Sequence, residues 1–216
     1  MGIHSGENEF DKEGPDGKRI HPASLKGYFL ISEANMADPN FFQTVVLMLE
    51  HNREGAFGLV VNRRSSLVLQ DIMPRIQSQR SASSPVYVGG PVQQEYLFVL
   101  HSEMPEGHVT SDSATSPVEG VVFEPSFRNV ERFFQDEEWE TIPADDRPRI
   151  HLFVGYSGWA PGQLEKEMQM GSWMLHPATP RIVFHADPEQ GWKDALREKG
   201  GIYRVFADSD PNPGLN

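Results

Sequence analysis

Between Arg149 and Trp173 the chain reads R-I-H-L-F-V-G-Y-S-G-W-A-P-G-Q-L-E-K-E-M-Q-M-G-S-W, and this stretch restricts the fold more than any other. Ile150 to Val154 is short, apolar and rich in β-branched and aromatic residues, and Pro148 and Gly155 bound it, as they would a buried strand. Pro161 falls where a helix takes its first residue, because proline has no N–H to leave unpaired there. Leu164 and Met168 lie one turn apart, and Gly171 supplies a C-terminal stop. The segment therefore predicts a strand, a turn over Gly155 to Trp159, and an amphipathic helix. The glycines of that turn can press Trp159 against the core; alternatively, free N–H groups over Ala160 to Gln163 can receive an anion. Gly155-Tyr156-Ser157-Gly158-Trp159 falls short of a G-x-S-x-G nucleophile elbow, since Trp159 stands where the second glycine is required.

The remaining chain reads as strands joined by short connections. Gly27 to Ser32 is a first strand, and Asp38-Pro39 opens a single helical turn carrying Phe41 and Phe42. Thr44 to Glu50 is apolar without alternation, a strand covered on both faces, and the turn residues at His51 to Gly55 return it through Ala56 to Asn62 as a hairpin. Leu67 to Ile76 predicts a short helix, Ser78 to Ser84 a loop, and Pro85 to Val88 with Tyr96 to His101 a second hairpin across Gly89-Gly90-Pro91. Ser102 to Pro117 reads as a long loop, Val118 to Glu124 as a strand bulged at Gly120, and Ser126 as the cap of a helix burying Phe127, Val130, Phe133 and Phe134. Ile182 to His185 predicts a strand reached from Ile150 by a βαβ crossover. Asp187-Pro188 starts a helix burying Trp192, Ala195 and Leu196, and Tyr203 to Phe206 adds an edge strand. The fold class is α+β, with a mixed, mostly antiparallel sheet and helices packed outside.

At 216 residues the length suits one domain. We expect residues 1–22 to be a disordered acidic tail, 23–206 the folded unit and 207–216 a flexible tail. No run of about 18 apolar residues suggests a membrane span, and no apolar stretch near Met1 suggests a leader, so a cytoplasmic protein is expected. The absence of cysteine removes disulfides, thiol catalysis and thiolate metal sites. A net charge of −12 disfavours direct nucleic-acid binding, with Lys18-Arg19 and Arg63-Arg64 the only adjacent basic pairs.

Six segments in register resemble the YqgE/AlgH family: L-K-G-Y-F-L-I-S from Leu25, D-P-N-F-F from Asp38, E-H-N-R-E-G-A-F-G-L-V-V-N-R from Glu50, V-Y-V-G-G-P-V from Val86, F-V-L-H-S from Phe98, and G-Y-S-G-W-A-P-G-Q-L-E-K-E from Gly155. The resemblance spans about Leu25 to Tyr203. It implies a compact α+β domain whose sheet curls into a barrel-like core, in a bacterial and plastid family without an established reaction or ligand. Some members carry the label of transcriptional regulator. This chain departs from the pattern in its longer N-terminal tail, at Ser111 to Ser116, and at Ser157.

Loop and strand-end residues make the best site candidates. They are Asn62 and Arg63 as polar anchors, Gly89, Gly90 and Pro91, Gly158, and Gln163. Together they suggest a non-catalytic surface for a small molecule or protein partner, on a monomer or weak homo-oligomer. His51 and His101 offer acid–base chemistry near neutral pH, or simply hydrogen bonds within turns and strand ends. An enzyme of unknown reaction built on them, or a regulator acting through a protein partner, are the alternatives. No H-x-x-x-H spacing occurs, and Glu165 and Glu167 diverge on a helix, which suggests solvated carboxylates, so neither a metal nor a cofactor is expected.

Overall fold

A computed structural model of the chain describes residues 22–104, 111–134, 139 and 142–208. Of the tails expected at 1–22 and 207–216, residues 1–21 and 209–216 lie outside the described residues, as do residues 105–110 of the loop expected after Ser102. Ten strands form one sheet: β1 (Tyr28–Ser32), β2 (Val45–Asn52), β3 (Gly55–Val60), β4 (Arg64–Val68), β5 (Pro85–Val88), β6 (Val92–His101), β7 (Thr115–Val118), β8 (Val121–Glu124), β9 (Ile150–Trp159) and β10 (Trp173–Pro177). The helices are α1 (Leu69–Ile72), α2 (Gln79–Ser83), α3 (Gln163–Gln169), α4 (Pro180–Val183), α5 (Gly191–Lys199) and α6 (Tyr203–Asp208).

The longest path through the sheet is β10-β1-β2-β3-β9-β6-β8-β7, antiparallel throughout. β5 joins β9 in parallel, Val86 opposite Leu152, and β4 joins β5. β9 is therefore shared by two arms. Its first half holds β5, and its second half holds β3 through Phe57–Gly158 and Ala56–Trp159, while β6 lines its other edge. The result is a mixed, mostly antiparallel sheet curled as a half-barrel.

Three glycines permit the fork. An added Cβ would stand 2.4 Å from the Gly155 carbonyl oxygen at Gly89, 2.2 Å from Tyr156 backbone at Gly90, and 2.5 Å from the Gly90 oxygen at Gly155. Gly155 also holds φ +68, a left-handed conformation that side chains resist. Bonds from the Gly89 N–H to the Val154 oxygen (2.9 Å) and from the Val60 N–H to the Gly89 oxygen (2.8 Å) carry the ladder across the fork.

Strand alternation sends side chains to two faces. Phe29, Leu47, Leu59, Leu100 and Phe153 share one face with Ile182, Trp192, Ala195 and Leu196 of α4 and α5. On the other face Leu30, Val46, Met48 and Trp159 pack beneath Leu164 and Met168 of α3. Val86, Val99 and Leu152 meet Leu69, Phe127, Phe133, Phe134 and Trp139. β2 is thus buried on both sides, as its unbroken apolar run requires.

Several local expectations change. The segment Gly155–Trp159 is strand rather than turn, because β3 supplies its ladder partner. No β5–β6 hairpin forms; β9 lies between those strands. Ile182 lies in helix α4, where Pro180 occupies the first turn after Thr179, so the parallel pair is β5–β9 and no crossover reaches Ile182. Trp173–Pro177, unassigned from sequence, is the strand beside β1. Tyr203–Asp208 is helical and buries Ala207. Residues 64–68 form β4 before the helical turn at Leu69, and Ser78 caps α2 within the serine-rich stretch by accepting from the Ser81 N–H. Thr115–Val118 pairs with β8, which places Gly120 in the hairpin turn and not in a bulge.

α3 is fastened by one carboxylate. Glu167 Oε2 accepts from the indole N–H groups of Trp159 (2.9 Å) and Trp173 (2.8 Å), and Oε1 accepts from Gln163 Nε2 (2.9 Å). Glu165 instead meets His51 at 3.1 Å. The expectation of two solvated carboxylates fails for Glu167. Both indoles are nearly inaccessible, so losing the acceptor leaves two buried donors unpaired, each costing about 1–3 kcal/mol. Glu167→Ala is expected to destabilise by about 3 kcal/mol and Glu167→Gln, which keeps an acceptor oxygen, by less than half of that, as read by urea unfolding.

Candidate functional site

The polar residues singled out from sequence are occupied within the fold. Asn62 is buried; its Oδ1 accepts from the Val45 N–H (2.7 Å) and its Nδ2 donates to the Gln43 carbonyl (2.9 Å). The Arg63 guanidinium donates to the carbonyls of Pro39 (3.3 Å), Asn40 (2.7 Å) and Phe42 (3.1 Å), fastening the Asp38–Phe42 turn. Burial lowers its pKa, with Asp38 opposing. Gly89 and Gly90 are buried at the fork, and Pro91 beside them is exposed. The Ser157 hydroxyl is buried and donates to the Gly89 carbonyl at 3.1 Å, which accounts for a serine there without nucleophilic chemistry. Gln163 Oε1 accepts from the Ala160 N–H at 3.1 Å, occupying one of the donors that could have met an anion.

The two histidines differ. His51 Nδ1 accepts from the Leu25 N–H (3.1 Å), so its Nε2 carries the proton directed at Glu165 (3.1 Å). The nitrogen a general base would use is therefore engaged by backbone. His101 is fully buried; Nδ1 donates to the Ser102 carbonyl at 2.6 Å, and among the described residues Nε2 has no partner. Burial lowers its pKa, against the Ser102 bond and the charge of Glu124. His101 and Glu124 share a region but not a hydrogen bond: the Glu124 carboxylate is held by Ser111 N–H and hydroxyl and by Asn129 Nδ2. Among the described residues, no three His, Asp or Glu side chains converge as a metal-ligand set.

A concavity lies at the turn end of the β2–β3 hairpin, beside the last residues of β9. It measures about 450 Å³ and is lined by Glu50, Glu54, Phe57, Val92, Tyr156 and Gly158, among others. A bulge between Met48 and Glu50 puts Glu50 opposite Phe57, which in turn pairs with Gly158. Tyr156, two residues earlier on β9, lays its ring over Gly158: an added Cβ there would touch its Cε2 at 2.9 Å. The Phe57 and Tyr156 rings sit 4.9 Å apart and lean on Phe98. Among the described residues neither the Glu50 nor the Glu54 carboxylate has a hydrogen-bond or ion-pair partner. Aromatic rings and two carboxylates lining one concavity attract a cation and give little to an anion. Of the residues chosen from sequence, only Gly158 belongs to this cleft; the alternation of Glu50, Phe57 and Tyr156 on paired strands was the signal for the rest.

A family model described as AlgH-like matches residues 29–204. The chain belongs to the AlgH-like family. It is 34% identical over 209 residues to a UPF0301 protein of Chlorobium limicola, covering 97% of this chain and 99% of that one. A UPF0301 protein of Stutzerimonas stutzeri is 34% identical over 199 residues, covering 88% and 96% respectively. The solution structure of AlgH from Pseudomonas aeruginosa superposes with a TM-score of 0.67 at 32% identity, over 92% of this chain and all of that one. A Corynebacterium diphtheriae protein, DIP2367, gives the same TM-score at 23% identity and bears on the fold alone. The half-barrel is thus an AlgH-like fold.

Two consequences of this AlgH-like architecture can be measured. Arg63→Ala should cost about 2 kcal/mol in urea unfolding, and Arg63→Lys should not recover it, because one ammonium cannot span three carbonyls. His151 is held down to about 4, first by burial and then by Arg64 and Arg149, and burial also lowers His176. Between the ordinary histidine value and about 4 the unfolded chain binds the extra proton, so this stability is full above about pH 6.5 and lost as pH falls. His151 alone contributes about 3 kcal/mol at most, and His151→Phe should flatten the fall in urea midpoint from about pH 6.5 to 4.5.

Proposed function

We propose that this chain is a non-catalytic cytoplasmic binding module. Its cleft between the β2–β3 hairpin and the end of β9 takes the cationic group of a small molecule or of a partner protein's lysine or arginine. The observation that carries this reading is the pair of carboxylates, Glu50 and Glu54, that have no partner among the described residues and line the cleft together with Phe57 and Tyr156. A cation entering there exchanges water for two charge-assisted contacts and an aromatic face, each a modest gain that desolvation inside a cleft enlarges. Long-range attraction by a chain of net charge −12 would assist its approach. The same charge gives no support to direct binding of nucleic acid. A role in transcription would then run through a protein partner.

Calorimetric titration with tetramethylammonium and with N-acetyl-arginine amide tests the proposal. Both probes should bind, more tightly at low salt, and Glu50→Gln with Glu54→Gln should weaken them at least about tenfold, equivalent to about 1.4 kcal/mol. Tyr156→Ala should weaken tetramethylammonium as well. Absence of binding up to on the order of 10 mM, or unchanged affinity in the double variant, would sink the proposal.

A further inference from the structure

The chain enters its fold beside the acidic cleft. The Gly27 N–H donates to the Met48 carbonyl (2.9 Å), the Leu25 N–H to His51 Nδ1 (3.1 Å) and the Ser24 hydroxyl to the His51 carbonyl (3.1 Å). These bonds prolong the antiparallel pairing of β1 with β2. Followed backward from Gly27, the backbone therefore heads for the turn end of the β2–β3 hairpin. Leu25, buried with Val46, Met48 and Trp159, fixes that direction, while Ala23 and Ser24 are exposed. His51, which receives both bonds, stands between Glu50 and Asn52, and both of these line the cleft.

The sequence supplies what precedes Pro22, and its nearest charged side chains are basic. Lys18 and Arg19 stand six and five residues before Ser24; the carboxylates of residues 1–21, Glu7, Glu9, Asp11, Glu13 and Asp16, all lie further off along the chain. Five or six extended residues span roughly 16–21 Å, whereas the two strands of the hairpin are about 4.8 Å apart. The basic pair can thus pass the turn and reach Glu50, which points to the opposite face of the sheet from His51. The other adjacent basic pair is engaged elsewhere. Arg63 donates to three carbonyls of the Asp38–Phe42 turn, and Arg64 lies against Tyr87. Charges also match: Glu50 and Glu54 have no partner among the described residues, and two cations lie within reach of them.

We infer, resting on the cleft's preference for cations, that Lys18 and Arg19 of the same chain occupy it as a built-in competitor. A tether this short holds the pair at a local concentration in the millimolar range. An outside cation must displace it, and the apparent affinity falls by the fraction of chains whose cleft is vacant. A lone ammonium group competes poorly with two tethered charges. A partner segment carrying two or more lysines or arginines competes well, so the cleft selects multivalent basic partners over small cations.

The test compares the full chain with its Lys18→Ser, Arg19→Ser variant. One readout is calorimetric titration with N-acetyl-arginine amide, and the other is the backbone amide resonances of Gly55 and Gly158 without ligand. The variant should bind the probe at least about threefold more tightly, and both amides should shift. Adding Glu50→Gln and Glu54→Gln should abolish both differences. The amide shifts should not change over an about tenfold range of protein concentration; a dependence would assign the contact to a second copy and overturn the inference. Arg128→Ser with Lys193→Ser removes the same formal charge from residues that do not line the cleft, and should alter neither readout. Equal affinity in wild type and variant, or a gain that this control reproduces, would overturn the inference and leave the cleft's preference for cations standing. Amides that respond while the probe binds neither form would uphold the intrachain contact and refute the cleft as a site for outside cations. Amides that stay still would overturn the contact whichever way the probe behaves.

Discussion

Backbone contact without side chains, where Gly89 and Gly90 meet Gly155, is the constraint on which this fold depends. A parallel strand arriving at β9 must leave it before β3 can take the same edge, and the exchange happens across Gly155 and Tyr156, between the pairs Val88–Val154 and Gly58–Ser157. Any Cβ at the crossing would overlap main-chain atoms, which cannot move without breaking ladder bonds on both arms. The two bonds of Gly89, one to Val154 of β9 and one from Val60 of β3, carry the hydrogen bonding across the junction. Curvature of the sheet follows from this fork.

Because β9 belongs to both arms, its ends face different surroundings. Its beginning places His151 among Tyr87, Phe184 and two arginines. Its end places Tyr156 and Gly158 beside the acidic hairpin. One strand thereby joins a buried stack of rings to an acidic hairpin within a single small AlgH-like domain. Glu50 reaches its region only through the bulge after Met48, since a regular strand would turn it to the opposite face.

The sequence was legible where burial and local geometry agree. The β2–β3 hairpin, the packing of Trp159, Leu164 and Met168, and the buried face of α5 could all be read from apolar spacing and turn residues. Short apolar runs were not decisive: Ile182 and Val183 suit a strand or a buried helical turn equally, and Pro180 settles the matter for helix. Pairing across the fork was illegible, because a Gly-Gly-Pro loop between two strands carries the same letters whether they pair or admit a third strand. The candidate site suffered from a related ambiguity. Asn62 and Arg63 have the chemistry of ligand-binding residues, yet backbone groups distant in sequence claim it. Glu50 read as one of several polar residues at a strand end and Glu54 as a turn residue, since a carboxylate near a turn is unremarkable until its lack of a partner is known.

The shared carboxylate under α3 has an optical consequence. Trp159 and Trp173 stand 6.1 Å apart and nearly perpendicular, each with its indole N–H directed at Glu167. Chromophores this close couple their transitions, and a fixed negative charge at the pyrrole edge tunes both emission energies together. Emission from this pair therefore senses how the small helix packs, alongside the signals of Trp139 and Trp192.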